Sequence, residues 1–221
     1  MAIKAVIFDM DGVLIDSELV YRDMVRSFFA GVGLTLGVDE LNALAGKSNQ
    51  IFRASVCRWW ELAPGVPDEL RGEDPNELFG AWCDSAYADL TFRELLNPGV
   101  RETLEELARR GVRCALASSS PRHEILQMLD QCELAPYFEV VTSGADLAES
   151  KPHPAIYLQS VAKLGLSANV CIAVEDSDPG IASARAAGLR VAVKREGRLG
   201  FSQEGGTWYL DAIPELLEIV G

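Results

Sequence analysis

Short apolar runs recur along the chain. Ala5-Val6-Ile7-Phe8 is the first, with β-branched and aromatic members and no polar break. A run without alternation predicts a strand buried on both faces, and hence a parallel sheet. Comparable runs lie at Val112 to Ala117, Phe138 to Thr142, Val170 to Val174 and Arg190 to Val193, with a shorter one at Trp208 to Leu210. Between them apolar positions return at helical spacing: Val100, Leu104, Leu107; then Ile125, Met128, Leu129, Cys132; then Tyr157, Val161, Leu164. Three predicted helix starts carry a polar residue followed by proline: Asn97-Pro98, Ser120-Pro121 and Asp178-Pro179. The polar side chain can cap, and proline is tolerated at the first helical position. Gly111 and Gly188 fall where two of these helices should stop. From about residue 98 onward helix and strand alternate, which predicts an α/β fold with a Rossmann-like, doubly wound parallel sheet.

The stretch from about residue 18 to 92 has no comparable strand run. Val20, Met24 and Phe28 form one helical stripe, Phe52, Val56 and Trp59 a second, and Phe79, Trp82, Ala86 and Leu90 a third. Segments rich in Gly, Pro and Asp separate them, notably Ala63 to Pro75. The pattern predicts a small all-helical domain, residues 17–92, inserted into a core made of residues 1–16 and 93–221. Trp59, Trp60 and Trp82 all belong to the insertion; they read as filling its core, with a place in a substrate pocket as the alternative.

Composition narrows the function. The 221 residues are 48% hydrophobic and 24% charged, an ordinary globular balance. A net charge of −13 argues against nucleic acid and anionic membranes as partners, because both require basic patches. Five dispersed cysteines with no CxxC pair predict neither a disulfide framework nor a zinc site. They read as reduced, mostly buried residues, which suits the cytoplasm. The N-terminus leads straight into a strand, and no apolar stretch approaches the length of a membrane span.

The chemistry begins where the first strand ends, at Asp9-Met10-Asp11-Gly12. Ligands of open α/β sheets bind just past the carboxyl ends of the strands, so these acids point at the expected site. Taken alone, an acidic loop with helix-capping aspartates accounts for them equally well. Three further segments tip the balance. Ala117-Ser118-Ser119-Ser120 brings small hydroxyls and backbone N–H groups to a helix start, a phosphate-sized anion site. Lys151-Pro152 places a cation beside another helix start, where the macrodipole disfavours it. The strand at Val170 to Val174 ends in Glu175-Asp176, a second carboxylate pair. Carboxylates that fill only part of a metal's shell suit magnesium.

Asp9-x-Asp11-Gly12, Ser118, Lys151-Pro152 and Glu175-Asp176, in that order, resemble the four motifs of the haloacid dehalogenase-like superfamily, in the branch with a helical cap after the first strand. The resemblance spans essentially the whole chain. It implies that Asp9 attacks phosphorus to form an aspartyl-phosphate, and that Asp11 protonates the leaving oxygen and then activates water. It also implies Mg2+ held by the Asp9 carboxylate, the Asp11 carbonyl and Asp176, with Glu175 nearby. Ser118 and the Ser119 backbone would hold the phosphoryl oxygens, and Lys151 would neutralise them. In the cap, the loop around Gly46 and Lys47 would contact the substrate.

The reaction implied is hydrolysis of a small phosphate ester, such as a sugar phosphate or phosphoglycolate. The dehalogenases and phosphonatases of the family lack the second aspartate, which is present here as Asp11. A β-phosphoglucomutase-like mutase is the main alternative, and a non-catalytic binding protein on the same fold a further one. The mutases carry a histidine past the first motif and a basic pair after the first cap helix. The comparable positions here hold Tyr21, and Ala45 to Asn49 with only Lys47 basic. A monomer is expected, with a dimer left open. Other polar residues invite local readings. Asp16 or Ser17 reads mainly as a helix cap, with substrate contact as the alternative. Asp178 reads as an N-cap rather than a metal ligand, and His123 and His153 as surface or supporting residues. The phosphate-binding hydroxyl could fall on a serine next to Ser118.

Overall fold

Neighbouring residues of the first strand, β1 (Ala5–Phe8), face opposite sides of the sheet and feed two separate cores. Val6 and Phe8 pack in one, Ala5 and Ile7 in the other. A strand buried on both faces must lie inside a sheet covered by helices on both sides. The computed structural model describes residues 2–44, 49–86, 88 and 90–221. They divide into two compact units, Met1–Asp16 with Thr91–Gly221, and Ser17–Leu90.

The first unit holds a six-stranded parallel sheet. Its other strands are β2 (Arg113–Ser118), β3 (Phe138–Ser143), β4 (Cys171–Glu175), β5 (Arg190–Lys194) and β6 (Trp208–Leu210). The order is β3-β2-β1-β4-β5-β6, so β1 lies between β2 and β4 at the point where the winding reverses. Register places Phe8 beside both Leu116 and Val174. Helices α5 (Val100–Arg109) and α6 (Arg122–Gln131) bury their predicted stripes on the Phe8 side. Helices α7 (Ala155–Leu164) and α8 (Asp178–Ala186) cover the Ile7 side.

In the second unit the principal helices are α1 (Glu18–Gly31), α3 (Asn49–Leu62) and α4 (Pro75–Ala86), with a short α2 (Val38–Asn42). Phe28 is its hub, stacking on Trp60 and meeting Phe29, Phe79 and Trp82 edge-on. Trp59 is buried and its indole donates to Glu40 at 2.6 Å. Of the third stripe, Phe79, Trp82 and Leu90 pack inward, while Ala86 is exposed. In the first unit a final short helix, α9 (Leu216–Val220), follows β6. Among the described residues no helix is long and apolar enough to cross a membrane, and the five cysteines carry no disulfide.

The three polar-proline signals require correction, because none of the polar residues caps. Helix α5 starts at Val100 with Gly99 at its N-cap, while the Asn97 amide donates to the carbonyls of Val13 (2.8 Å) and Gly12 (3.5 Å). Helix α6 is preceded by Pro121, and the Ser120 hydroxyl donates to Asp11 at 3.1 Å. Helix α8 is capped by Ser177, whose oxygen accepts from Gly180 N–H at 3.2 Å; the Asp178 carboxylate accepts from Ser202 and Gln203 instead. Nor does Asp16 cap: it pairs with Arg198 through two bonds of 2.8 Å, and Ser17, at the N-cap of α1, makes no side-chain cap bond. The side chains of Asn97, Ser120, Asp178 and Asp16 are each committed to a distant segment, which local sequence does not report.

Candidate active site

Asp9 directly follows β1, and its N–H donates to Val174 O at 3.0 Å, continuing the ladder toward β4. The same ladders bring Ser118 to the end of β2 and Glu175 to the end of β4, with Asp176 next. Glu175 and Asp176 are almost fully buried and Asp9 is 7% exposed. These three residues each offer a carboxylate oxygen within 4.8 Å of the others. Like charges at this spacing favour either a shared proton or nearby positive charge.

Lys151 supplies part of it. It precedes α7 by four residues and is joined to the following Pro152 by a cis bond. It therefore lies outside the first turn, and the macrodipole penalty expected for it does not apply. Its ammonium donates to Asp9 (2.6 Å), Glu175 (2.6 Å) and the Ala117 carbonyl (3.2 Å). Burial works against its charge, yet Asp9 and Glu175 outweigh burial and raise its pKa, so it stays an ammonium. Burial pushes the Asp9 carboxyl well above its ordinary range; Lys151 pulls it back, and Glu175 and Asp11 add to the push. One lysine thus faces more negative charge than it can neutralise.

Glu175 is occupied on both oxygens. Oε1 accepts from Lys151 and from the Tyr157 hydroxyl at 2.5 Å, and Oε2 from Asp176 N–H at 3.3 Å and Ser177 at 3.4 Å. It is built to orient the lysine. The clustered carboxylate oxygens of Asp9 and Asp176 fit a hard divalent cation, the donor type that Mg2+ prefers. The backbone leaves room for them. Gly12 has φ +75°, and a Cβ there would stand 2.0 Å from Asp176 Oδ2.

Gly180 plays the same part for Glu175: a Cβ there would stand 2.0 Å from Oε2 and 2.1 Å from the carboxyl carbon. Because Glu175 is held by four partners, it cannot swing aside without losing them. Gly180→Ala is expected to destabilise the fold by about 1–3 kcal/mol, as overpacking in a tight interior does. Urea denaturation measures this; an unchanged midpoint would show that Glu175 relaxes freely.

Other predicted residues fall around this centre. Ser118 is fully buried and its oxygen accepts from Ser120 N–H at 3.0 Å, while Ser119 is exposed. Asp11 holds Ser120 rather than joining the three-carboxylate cluster. His123 and His153 are exposed. Gly46 and Lys47 lie outside the described residues. Tyr157 goes beyond its sequence reading: periodicity puts it on a buried stripe, but a tyrosine in such a place needs a partner for its hydroxyl, here Glu175. Asn97 showed in the sequence only as a cap candidate, and Gly180 gave no signal.

The family description "Hydrolase: haloacid dehalogenase-like hydrolase" matches residues 3–188. Hexitol phosphatase B of Escherichia coli (strain K12) is 32% identical over 191 residues, 86% of this chain and 83% of its own. A phosphorylated carbohydrates phosphatase of Thermotoga maritima is 33% identical over 188 residues, 84% and 82% of the two chains. The crystal structure of CbbY from Rhodobacter sphaeroides with xylulose-1,5-bisphosphate superposes with a TM-score of 0.76, at 26% identity, covering 97% of this chain and 96% of that one. With the match running through β1, the serine, the lysine and the second acidic pair, the chain belongs to the haloacid dehalogenase-like hydrolases.

Proposed function

We propose that the protein is a Mg2+-dependent phosphatase that hydrolyses a small phosphorylated metabolite, a sugar phosphate or phosphoglycolate-like ester, through an aspartyl-phosphate on Asp9. The observation that carries this is the buried cluster of Asp9, Glu175 and Asp176, with Lys151 bridging Asp9 and Glu175. A buried carboxylate at a strand end, facing a lysine and clustered acids, is arranged to meet an anion only when further positive charge is present.

Asp9 and Asp176 would hold the cation, with the Asp11 carbonyl completing the protein's share and Glu175 in support. When bound, Mg2+ would neutralise phosphoryl charge and keep Asp9 ionised against its burial. The chain's own residues do the rest. Asp9 attacks phosphorus in line with the leaving oxygen. Asp11, fixed by Ser120, protonates that oxygen and later takes a proton from the attacking water. Lys151 and Ser118, with the Ser119 N–H, hold the phosphoryl oxygens. The helical unit, including the segment with Gly46 and Lys47, would choose the leaving group, and water as acceptor fits Tyr21 where the mutases carry histidine. The free cysteines fit a cytoplasmic enzyme, and we take it to be a monomer.

Hydrolysis of p-nitrophenyl phosphate should require Mg2+ and stop in EDTA. Asp11→Asn should slow turnover by about 10²–10⁴-fold, the usual contribution of a general acid–base. Absence of turnover on a broad panel of phosphate esters with Mg2+ would sink the proposal. Conversion of β-glucose 1-phosphate to the 6-phosphate would replace it with the mutase.

A further inference from the structure

The segment between β5 and β6 has no part in the chemistry above, yet it contains a backbone outlier. Gln203 has φ +51° without being glycine, a left-handed conformation disfavoured for a residue with a side chain. It is also 7% exposed, and all its polar groups are engaged. The side-chain Nε2 donates to the carbonyls of Asp176 (2.6 Å) and Lys194 (2.8 Å), and Oε1 accepts from Glu196 N–H (3.0 Å). Its own N–H donates to Asp178 at 2.7 Å, and its carbonyl accepts from the Tyr209 hydroxyl at 3.0 Å. One amide therefore ties the ends of β4 and β5 together at the residue whose carboxylate joins the acidic cluster.

The same segment reaches the loop after β1. Glu196, almost fully buried, pairs with Arg198, and Arg198 holds Asp16 through two bonds of 2.8 Å. Asp16 N–H in turn donates to Leu95 O at 2.7 Å, and Gly12 N–H to Ile15 O at 2.8 Å. The segment thus grips both acidic loops of the site. Strained backbone persists only where surrounding bonds over-determine it, and such places cluster at functional sites.

We propose that Gln203 is a positioning residue for Asp176: its amide fixes the Asp176 carbonyl and so aims the neighbouring carboxylate at the cation shared with Asp9. The proposal rests on the phosphatase reading for what that cation does. Gln203→Met keeps the shape and removes the amide. Gln203→Gly removes the amide and suits the positive φ, so it covers the case in which the first variant does not fold.

Mg2+ binding to the metal-free proteins is measured by calorimetry, with far-UV circular dichroism as the check on folding. In a folded variant the Mg2+ Kd should rise by about 10–100-fold, as for the loss of other groups that orient metal ligands, with kcat falling and KM for p-nitrophenyl phosphate nearly unchanged. A smaller rise in Kd overturns the proposal. So does loss of folding in both variants, because Gln203 would then support the fold alone. Wild-type protein that binds Mg2+ but hydrolyses no phosphate ester would defeat the phosphatase reading and leave the calorimetric comparison to decide Gln203.

Discussion

Asp9→Asn is expected to lower Mg2+-dependent hydrolysis of p-nitrophenyl phosphate by at least about 10⁴-fold while leaving the protein folded; losses of this order follow removal of a nucleophile. An amide is too weak a nucleophile to open the phosphate ester and too weak a ligand to hold the cation. The fold should survive because Lys151 keeps its bond to Glu175 at 2.6 Å and to the Ala117 carbonyl at 3.2 Å. The substitution also removes a carboxylate that burial already pushes toward protonation. Steady-state kinetics with a thermal melt of the same sample checks both halves. A variant with a tenth of wild-type activity would assign the nucleophile to another residue.

Lys151→Met is expected to act on stability and activity together. The lysine side chain is 7% exposed and bridges two carboxylates that are 10% and 0% exposed. Its removal leaves both acids buried beside each other, and breaking a buried pair in this way costs about 3–5 kcal/mol. For a chain of this size that lowers Tm by about 10 °C. The loss should be largest in EDTA and partly recovered in Mg2+, because a cation bound near Asp9 and Asp176 would relieve the same repulsion. Turnover should fall by about 10²–10³-fold even with Mg2+, since a positioned charge on the phosphoryl oxygens is lost. An unchanged melting temperature in EDTA would contradict the electrostatic account of the site.

The sheet was legible because its strands are buried on both faces. Ala5–Phe8 and Trp208–Leu210 have the bounds their apolar runs predict. The other strands end one residue beyond the apolar run, at Ser118, Ser143, Glu175 and Lys194, and β2 and β4 also begin one residue late, at Arg113 and Cys171. Hydropathy stops where the site begins, but backbone pairing does not: Ser118 still pairs with Ser143, and Glu175 with Val193. The main acids and the lysine were legible for the same reason, as polar residues at the ends of apolar strands.

What escaped was long-range. Asn97 reaches Val13 across 84 residues, and Arg198 reaches Asp16 across 182. A cap and a tertiary anchor look alike in sequence when both are a polar residue before a turn. Gln203 lies in a polar, glycine-containing stretch with no periodicity to show that its amide is buried. Gly180 shows only as a glycine in the first turn of α8, and its reason, the carboxylate of Glu175 lying against it, belongs to the folded state.

The central claim is that Asp9 becomes phosphorylated. Wild-type protein turning over a phosphate ester with Mg2+ would be quenched with tritiated borohydride, which reduces an acyl phosphate to the alcohol, and the labelled peptide sequenced. The account predicts tritium at position 9, dependent on both substrate and Mg2+ and absent from Asp9→Asn. Undiminished turnover with no label at position 9, or label on a different residue, would contradict it.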